Sequence, residues 1–212
     1  MDEQLKQYLT GTLPEETEWV TNIEKQAKLD SVPIMDSLSI HFLMQLIRLH
    51  KPKRILEIGT AIGYSALRML EAYPKAEIVT IERNEQRMQQ AVENIKNQNK
   101  QDAIQVILGD ALDEIDRLAL TNERFDVIFI DAAKGQYKRF FEQSSPLLEE
   151  NGLIISDNVL FKGYVADPHP ENKRLNKIAD KIRGYNEWLI SHPDFTTSII
   201  PIGDGVAISI KK

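Results

Sequence analysis

The chain has 212 residues, with 26 Lys and Arg against 32 Asp and Glu and a formal net charge of -6 at pH 7. At 42% hydrophobic it is long enough to close one large core, since a chain of this size buries roughly 70% of the surface its unfolded form exposes. The absence of cysteine excludes disulfides, thiolate zinc sites, iron–sulfur clusters and cysteine nucleophiles. The acidic balance argues against non-specific nucleic-acid binding, while leaving room for a local basic patch. The longest run free of charged side chains, Ser37 to Ile47, spans 11 residues, short of the roughly 20 that a membrane helix needs. Met1-Asp2-Glu3-Gln4 carries no basic and apolar leader pattern. One domain over residues 1–212, cytoplasmic and with no membrane partner, is the expectation.

In chain order, the first 50 residues show helical signals only: one segment expected to start at Pro14, and a strongly apolar one from Ser37 to His50. Short β-branched runs then alternate with helical periodicities. Strands are expected at Arg54 to Ile58, Glu77 to Ile81, Ile104 to Leu108, Asp126 to Ile130 and Leu153 to Ser156. Helices are expected at Tyr64 to Tyr73, Asn84 to Asn99, Leu112 to Leu120 and Gln136 to Glu149. A helical pattern from Glu171 to Ser191 leads to Phe195 to Pro201, a Gly203-Asp204-Gly205 turn and Val206 to Ile210, which reads as a closing antiparallel hairpin. The fold class is α/β: a Rossmann-like, doubly wound sheet of seven strands, mostly parallel, with helices on both faces.

The first strand runs into Gly59-Thr60-Ala61-Ile62-Gly63-Tyr64-Ser65, a turn whose glycines let a ligand approach the backbone. Its GxxxG spacing departs from the dinucleotide fingerprint GxGxxG and lacks the P-loop lysine. Glu82 ends the second strand, where a carboxylate can accept from both hydroxyls of a ribose. Asp110, in Gly109-Asp110-Ala111 at the end of the third, stands where an adenine amino group would sit.

The fourth strand ends in Asp131-Ala132-Ala133-Lys134 and the fifth in Ser156-Asp157-Asn158. Neighbouring strand ends bring Asp131, Asp157 and Asn158 to one point, a hard-oxygen set suited to Mg²⁺ or Ca²⁺. Two vicinal oxygens of a substrate and a water would complete an octahedron there. Lys134, beside such a dication, would be biased toward its neutral form and able to act as a general base. The four histidines are scattered and read as surface or packing residues.

Acids and glycines at three consecutive strand ends resemble the class I S-adenosylmethionine-dependent methyltransferases, from about residue 32 to the C-terminus. The resemblance implies that Glu57, Gly59, Gly63, Tyr64 and Ser65 line the methionine end, Glu82 holds the ribose, and Asp110 with Ala111 faces the adenine. It also implies that Met35 and Asp131 contact the cofactor and that residues 1–50 cover it. Asp131-x-x-Lys134-x-x-Tyr137 together with Asp157-Asn158 is similar to the divalent-metal-dependent O-methyltransferases of the catechol and caffeoyl-coenzyme A type. That branch implies Mg²⁺ on Asp131, Asp157 and Asn158, catalysis by Lys134 and Asp131, and a homodimer.

From Leu160 to Tyr185 six basic residues face three acidic ones, and Lys162, Lys173, Arg174, Lys177 and Lys181 read as a phosphate-contacting ridge or as a solvated helix face. The stretches around Gly59, Asp131 and Asp157, with Pro201 to Gly205, look like the bacterial tRNA 5-hydroxyuridine methyltransferases. That resemblance implies a tRNA anticodon loop as substrate, giving 5-methoxyuridine at the wobble position and a purpose for the ridge. A catechol-like small molecule satisfies the same chemistry. A non-catalytic cofactor- or RNA-binding protein and a nicotinamide dehydrogenase are the remoter readings.

Overall fold

Alternating strands and helices close into a single twisted sheet. The computed structural model describes residues 3–167 and 172–212. Met1, Asp2 and residues 168–171, which hold His169 and the expected helix start at Glu171, lie outside the described residues. The strands are β1 (Arg54–Ile58), β2 (Glu77–Glu82), β3 (Ile104–Leu108), β4 (Phe125–Ile130), β5 (Leu148–Ser156), β6 (Phe195–Ile200) and β7 (Val206–Lys211). Their order is β3-β2-β1-β4-β5-β7-β6, parallel from β3 to β5 and antiparallel where β7 enters between β5 and β6. The expected seven-stranded, doubly wound architecture with a C-terminal hairpin is therefore the one observed.

The central strands β1, β2 and β4 are mostly apolar because both their faces are covered. Successive side chains alternate, so Ile55, Ile78 and Phe129 enter one core while Leu56, Val79 and Ile128 enter the other. The helix α1 (Glu3–Gly11) buries none of its described residues. Helices α2 (Glu18–Leu29), α3 (Ser37–His50), α4 (Tyr64–Ala72) and α5 (Glu85–Asn97) cover the first core. The second lies under α6 (Ala111–Leu120), α7 (Tyr137–Ser144) and α8 (Lys173–Ile190). Short polar side chains start several of them: Asp36 accepts from the Leu38 and Ser39 amides, Asn84 from Arg87, and Asp110 from Leu112.

Three expected boundaries move by more than two residues, the third being the start of β5, expected at Leu153. Pro14 does not open a helix: α2 begins at Glu18, and the loop before it is held by Glu16, whose carboxylate takes both terminal nitrogens of Arg68 at 2.6 and 2.9 Å. The helix expected from Gln136 to Glu149 stops at Ser144, because Pro146 has no amide to continue it; a 3-10 turn over Ser145–Leu147 follows, and β5 starts at Leu148. No helix among the described residues is long and apolar enough to cross a membrane.

Candidate active site

Strand order reverses between β1 and β4, and there the carboxyl ends of the parallel strands open into a cleft of about 320 Å³. The ladder continues past the strand ends: Gly59 N donates to Ile81 O, Asp131 N to Ile58 O and Asp157 N to Ile130 O, each at 3.0 Å. Gly59 has φ +109°, and a Cβ there would stand 2.1 Å from Asp131 O, so only glycine allows this approach. Of the residues expected around a cofactor, Met35, Gly59, Tyr64, Ser65, Glu82, Asp110, Ala111 and Asp131 line the cleft. Gly63 and Glu57 do not. Gly63, at φ +81°, turns the chain into α4.

Glu57 is fully buried below the loop. Ser65 Oγ donates to its Oε1 and Thr80 Oγ1 to its Oε2 at 2.6 Å, and the Thr80 hydroxyl meets that of Thr60 at 2.6 Å. Burial pushes the Glu57 carboxyl up to about 7, against the two hydroxyl bonds that pull it down. Thr80 escaped the sequence reading. Its signal is a polar residue inside the apolar run Ile78-Val79-Thr80-Ile81, paired in register with Glu57.

Glu82 accepts from Ala61 N at 2.9 Å and from Asn84 N at 2.8 Å, tying the glycine loop to the end of β2. Each oxygen retains a second acceptor site. Tyr64 Oη donates to Glu24 Oε1 at 2.7 Å, and burial pushes its hydroxyl up, so it stays protonated. With the Arg68–Glu16 pair, this bond docks α2 on α4 and brings Pro33, Ile34 and Met35 to the cleft wall. Glu16, Glu24 and Arg68 were also missed, since no local pattern links residues so far apart in the chain.

Asp131, Lys134, Asp157 and Asn158 line the same cleft. Asp157 is 1% exposed; its Oδ2 accepts from Asn158 Nδ2 at 2.7 Å, and its buried Oδ1 has no hydrogen-bond partner. Lys134 Nζ donates to Asn158 Oδ1. Burial raises the Asp131 carboxyl against the pull of Lys134; burial, then the charge of Asp131, raises that of Asp157. The hairpin turn secures the loop that follows, with Val159 N bonded to Gly205 O at 2.9 Å and Leu160 N to Asp204 O at 2.8 Å.

Metal binding, expected from the sequence, finds no cluster of acidic or histidine side chains to carry it: among the described residues no three or more His, Asp or Glu are placed to hold a metal ion. The third member of the expected set is an amide, and its oxygen accepts a hydrogen bond from Lys134 Nζ.

The basic ridge also resolves differently. Lys162, Lys173, Arg174, Lys177 and Lys181 are exposed, and none of the five belongs to the cleft lining. Burial of Ile182 and Leu189 turns α8 so that Lys173 and Lys177 lie on its exposed side, while Lys181 reaches over Gly135.

Residues 13–212 match the family model described as O-methyltransferase. A caffeoyl-CoA O-methyltransferase of Populus kitakamiensis is 31% identical, covering 97% of this chain and 92% of the relative. A crystal structure from Staphylococcus aureus is 40% identical with a TM-score of 0.91, covering 99% of this chain and all of that one (100%). An SAH-bound methyltransferase from Podospora anserina is 26% identical with a TM-score of 0.89, covering 100% and 97%. The fold and cleft therefore define an S-adenosylmethionine-dependent O-methyltransferase of class I. The chain belongs to the O-methyltransferase family of the catechol and caffeoyl-CoA type. This overturns tRNA as substrate and partner: family and relatives point to small-molecule methyl transfer, and the residues expected to grip RNA phosphates stand outside the cleft.

Proposed function

We propose that this enzyme methylates one of two vicinal hydroxyls on a small catechol-like molecule. The observation that carries the reading is one continuous cleft, lined by Met35, Gly59, Glu82 and Asp110 in one half and by Asp131, Lys134, Asp157 and Asn158 in the other. The Populus relative is named for caffeoyl-CoA, whose caffeoyl ring carries such a hydroxyl pair.

S-adenosylmethionine, when bound, supplies an electrophilic methyl group on a sulfonium. The chain's part is to bind, orient and deprotonate. Glu82 accepts from the ribose hydroxyls, Asp110 and Ala111 face the adenine, and Met35, Gly59, Tyr64 and Ser65 enclose the methionine end, with Glu57 holding Ser65 from below. Asp157 and Asn158 orient the two substrate oxygens beside Asp131, bringing one of them within about 3 Å of its target. Lys134 Nζ, as the uncharged amine, receives the proton that this hydroxyl loses and becomes the ammonium.

A divalent cation fits the same residues. Asp157 Oδ1, buried and without a partner beside a second carboxylate, supports Asp131, Asp157 and Asn158 as oxygen donors for Mg²⁺, which would lower the pKa of a coordinated hydroxyl. The reading also keeps one domain, with residues 1–50 over the cofactor half, and a cytoplasmic location.

The test is transfer of a labelled methyl group from S-adenosylmethionine to catechol, with and without a chelator. The expected product is a monomethyl ether whose formation the chelator suppresses. Transfer indifferent to chelator would remove the cation and keep the enzyme. No transfer to any vicinal diphenol would overturn the substrate class.

A further inference from the structure

Three buried side chains on α7 and α8 reach the segment that presents Asp157 and Asn158, two of them at its backbone carbonyls and one at the Ser156 hydroxyl. Tyr137 Oη donates to Asp157 O at 3.0 Å, Asn186 Nδ2 donates to Val159 O at 2.8 Å, and the Tyr185 hydroxyl pairs with Ser156 Oγ at 2.8 Å. Tyr137, Asn186 and Tyr185 are 1%, 7% and 3% exposed, so water does not compete for these bonds. The amides of Asp157 and Val159 donate to Ile130 O at the end of β4 and to Gly205 O before β7, the strands on either side of β5. The segment is thus held at two carbonyls by α7 and α8 and at two amides by the neighbouring strands. Within it Asn158 takes φ +57°, a left-handed conformation that asparagine adopts more readily than other non-glycine residues.

Asn186 shows that the grip is not incidental packing. Its Oδ1 is buried without a partner, a cost that a leucine of similar volume would avoid, so the residue is there for its donor.

We propose that Tyr137, Tyr185 and Asn186 are positioning residues for methyl transfer, fixing Ser156 to Val159 so that the Asp157 carboxylate and Asn158 amide meet the substrate oxygens. A shift of Asn158 would also move the acceptor on which Lys134 rests. The kinetic consequence rests on the catechol reading; the structural one does not.

The experiment compares Tyr137→Phe and Asn186→Leu with Thr197→Val, which removes a side-chain bond of 2.8 Å between Thr197 and Ser209, residues outside the cleft lining. Steady-state kinetics with catechol and hydrogen exchange over residues 156–163 are measured for each. In the first two variants, kcat should fall about tenfold or more while the cofactor KM stays within about twofold, since small displacements at a reacting centre cost rate before binding. Exchange over 156–163 should speed up in these variants and stay unchanged in Thr197→Val. Unchanged kcat and protection in both, or an equal loss in the control, would overturn the proposal. If the wild type leaves catechol unmethylated, the substrate reading falls, and exchange over 156–163 still decides the clamp. Should Asn186→Leu fail to fold, Tyr137→Phe, which lacks one oxygen, carries the test alone.

Discussion

At Gly59 an added methyl group would press on backbone, the carbonyl of Asp131, which has nowhere to retreat inside the sheet. Gly59→Ala should weaken cofactor binding at least about a hundredfold in calorimetry, with about 1–3 kcal/mol lost in stability. Lys134→Met keeps the length of the side chain and removes its nitrogen. The kcat for catechol should drop about 10²- to 10⁴-fold with cofactor affinity retained; an unimpaired kcat would take Lys134 out of proton transfer. Glu57 makes a different prediction. Its carboxyl rises from 4.5 to about 7 on folding, so between those values the native state holds a proton that the unfolded chain has released. The stability tied to this proton is complete below 4.5 and lost as pH climbs through 7, a decline of about 3 kcal/mol. Asp131 and Asp157 shift in the same direction, so the comparison must be with Glu57→Gln. Urea titrations at pH 5 and pH 8 should show a smaller difference in that variant than in the wild type.

Between elements, the attachment of α2 to α4 matters for the site more than its place at the rim suggests. Arg68, almost wholly buried, pairs with Glu16 at 2.6 Å and with Glu71 at 3.1 Å, while Tyr64 reaches Glu24. Arg68→Met leaves these carboxylates without their cation, a loss of about 3 kcal/mol by chemical denaturation. Because residues 33–35 follow α2 into the cleft wall, the same variant should raise the cofactor Kd. An unchanged Kd would show that the wall stands without this anchor. Legibility also differed between elements. Strands β1 to β4 were readable to within a residue, since a buried parallel strand announces itself by continuous apolar content. The end of α7 was not: the apolar pattern ran on past Pro146, and the missing amide, rather than periodicity, decided where the helix stopped.

For the molecule as a whole, ligand binding and folding are linked, because the cofactor half of the cleft exists only when β1, β2 and β3 are in register. Cofactor product at a hundred times its Kd should stabilise the native state by about 2.7 kcal/mol, or about 5–10 °C in Tm for a chain of this size. A nicotinamide dinucleotide should give no such shift, and an equal shift would revive the dehydrogenase reading. The glycine loop and the acids at successive strand ends could be read along the chain because turn chemistry, caps and strand period act over a few neighbouring residues. Partnerships across long separations could not, among them Thr80 with Glu57, 23 residues apart, and Arg68 with Glu16, 52 apart. They arise when strand order and helix docking bring distant segments together. The basic residues of α8 mark the same divide. Composition reveals a local excess of positive charge, but the direction those charges face is set by which side of the helix the core buries, and here the core leaves the lysines to solvent.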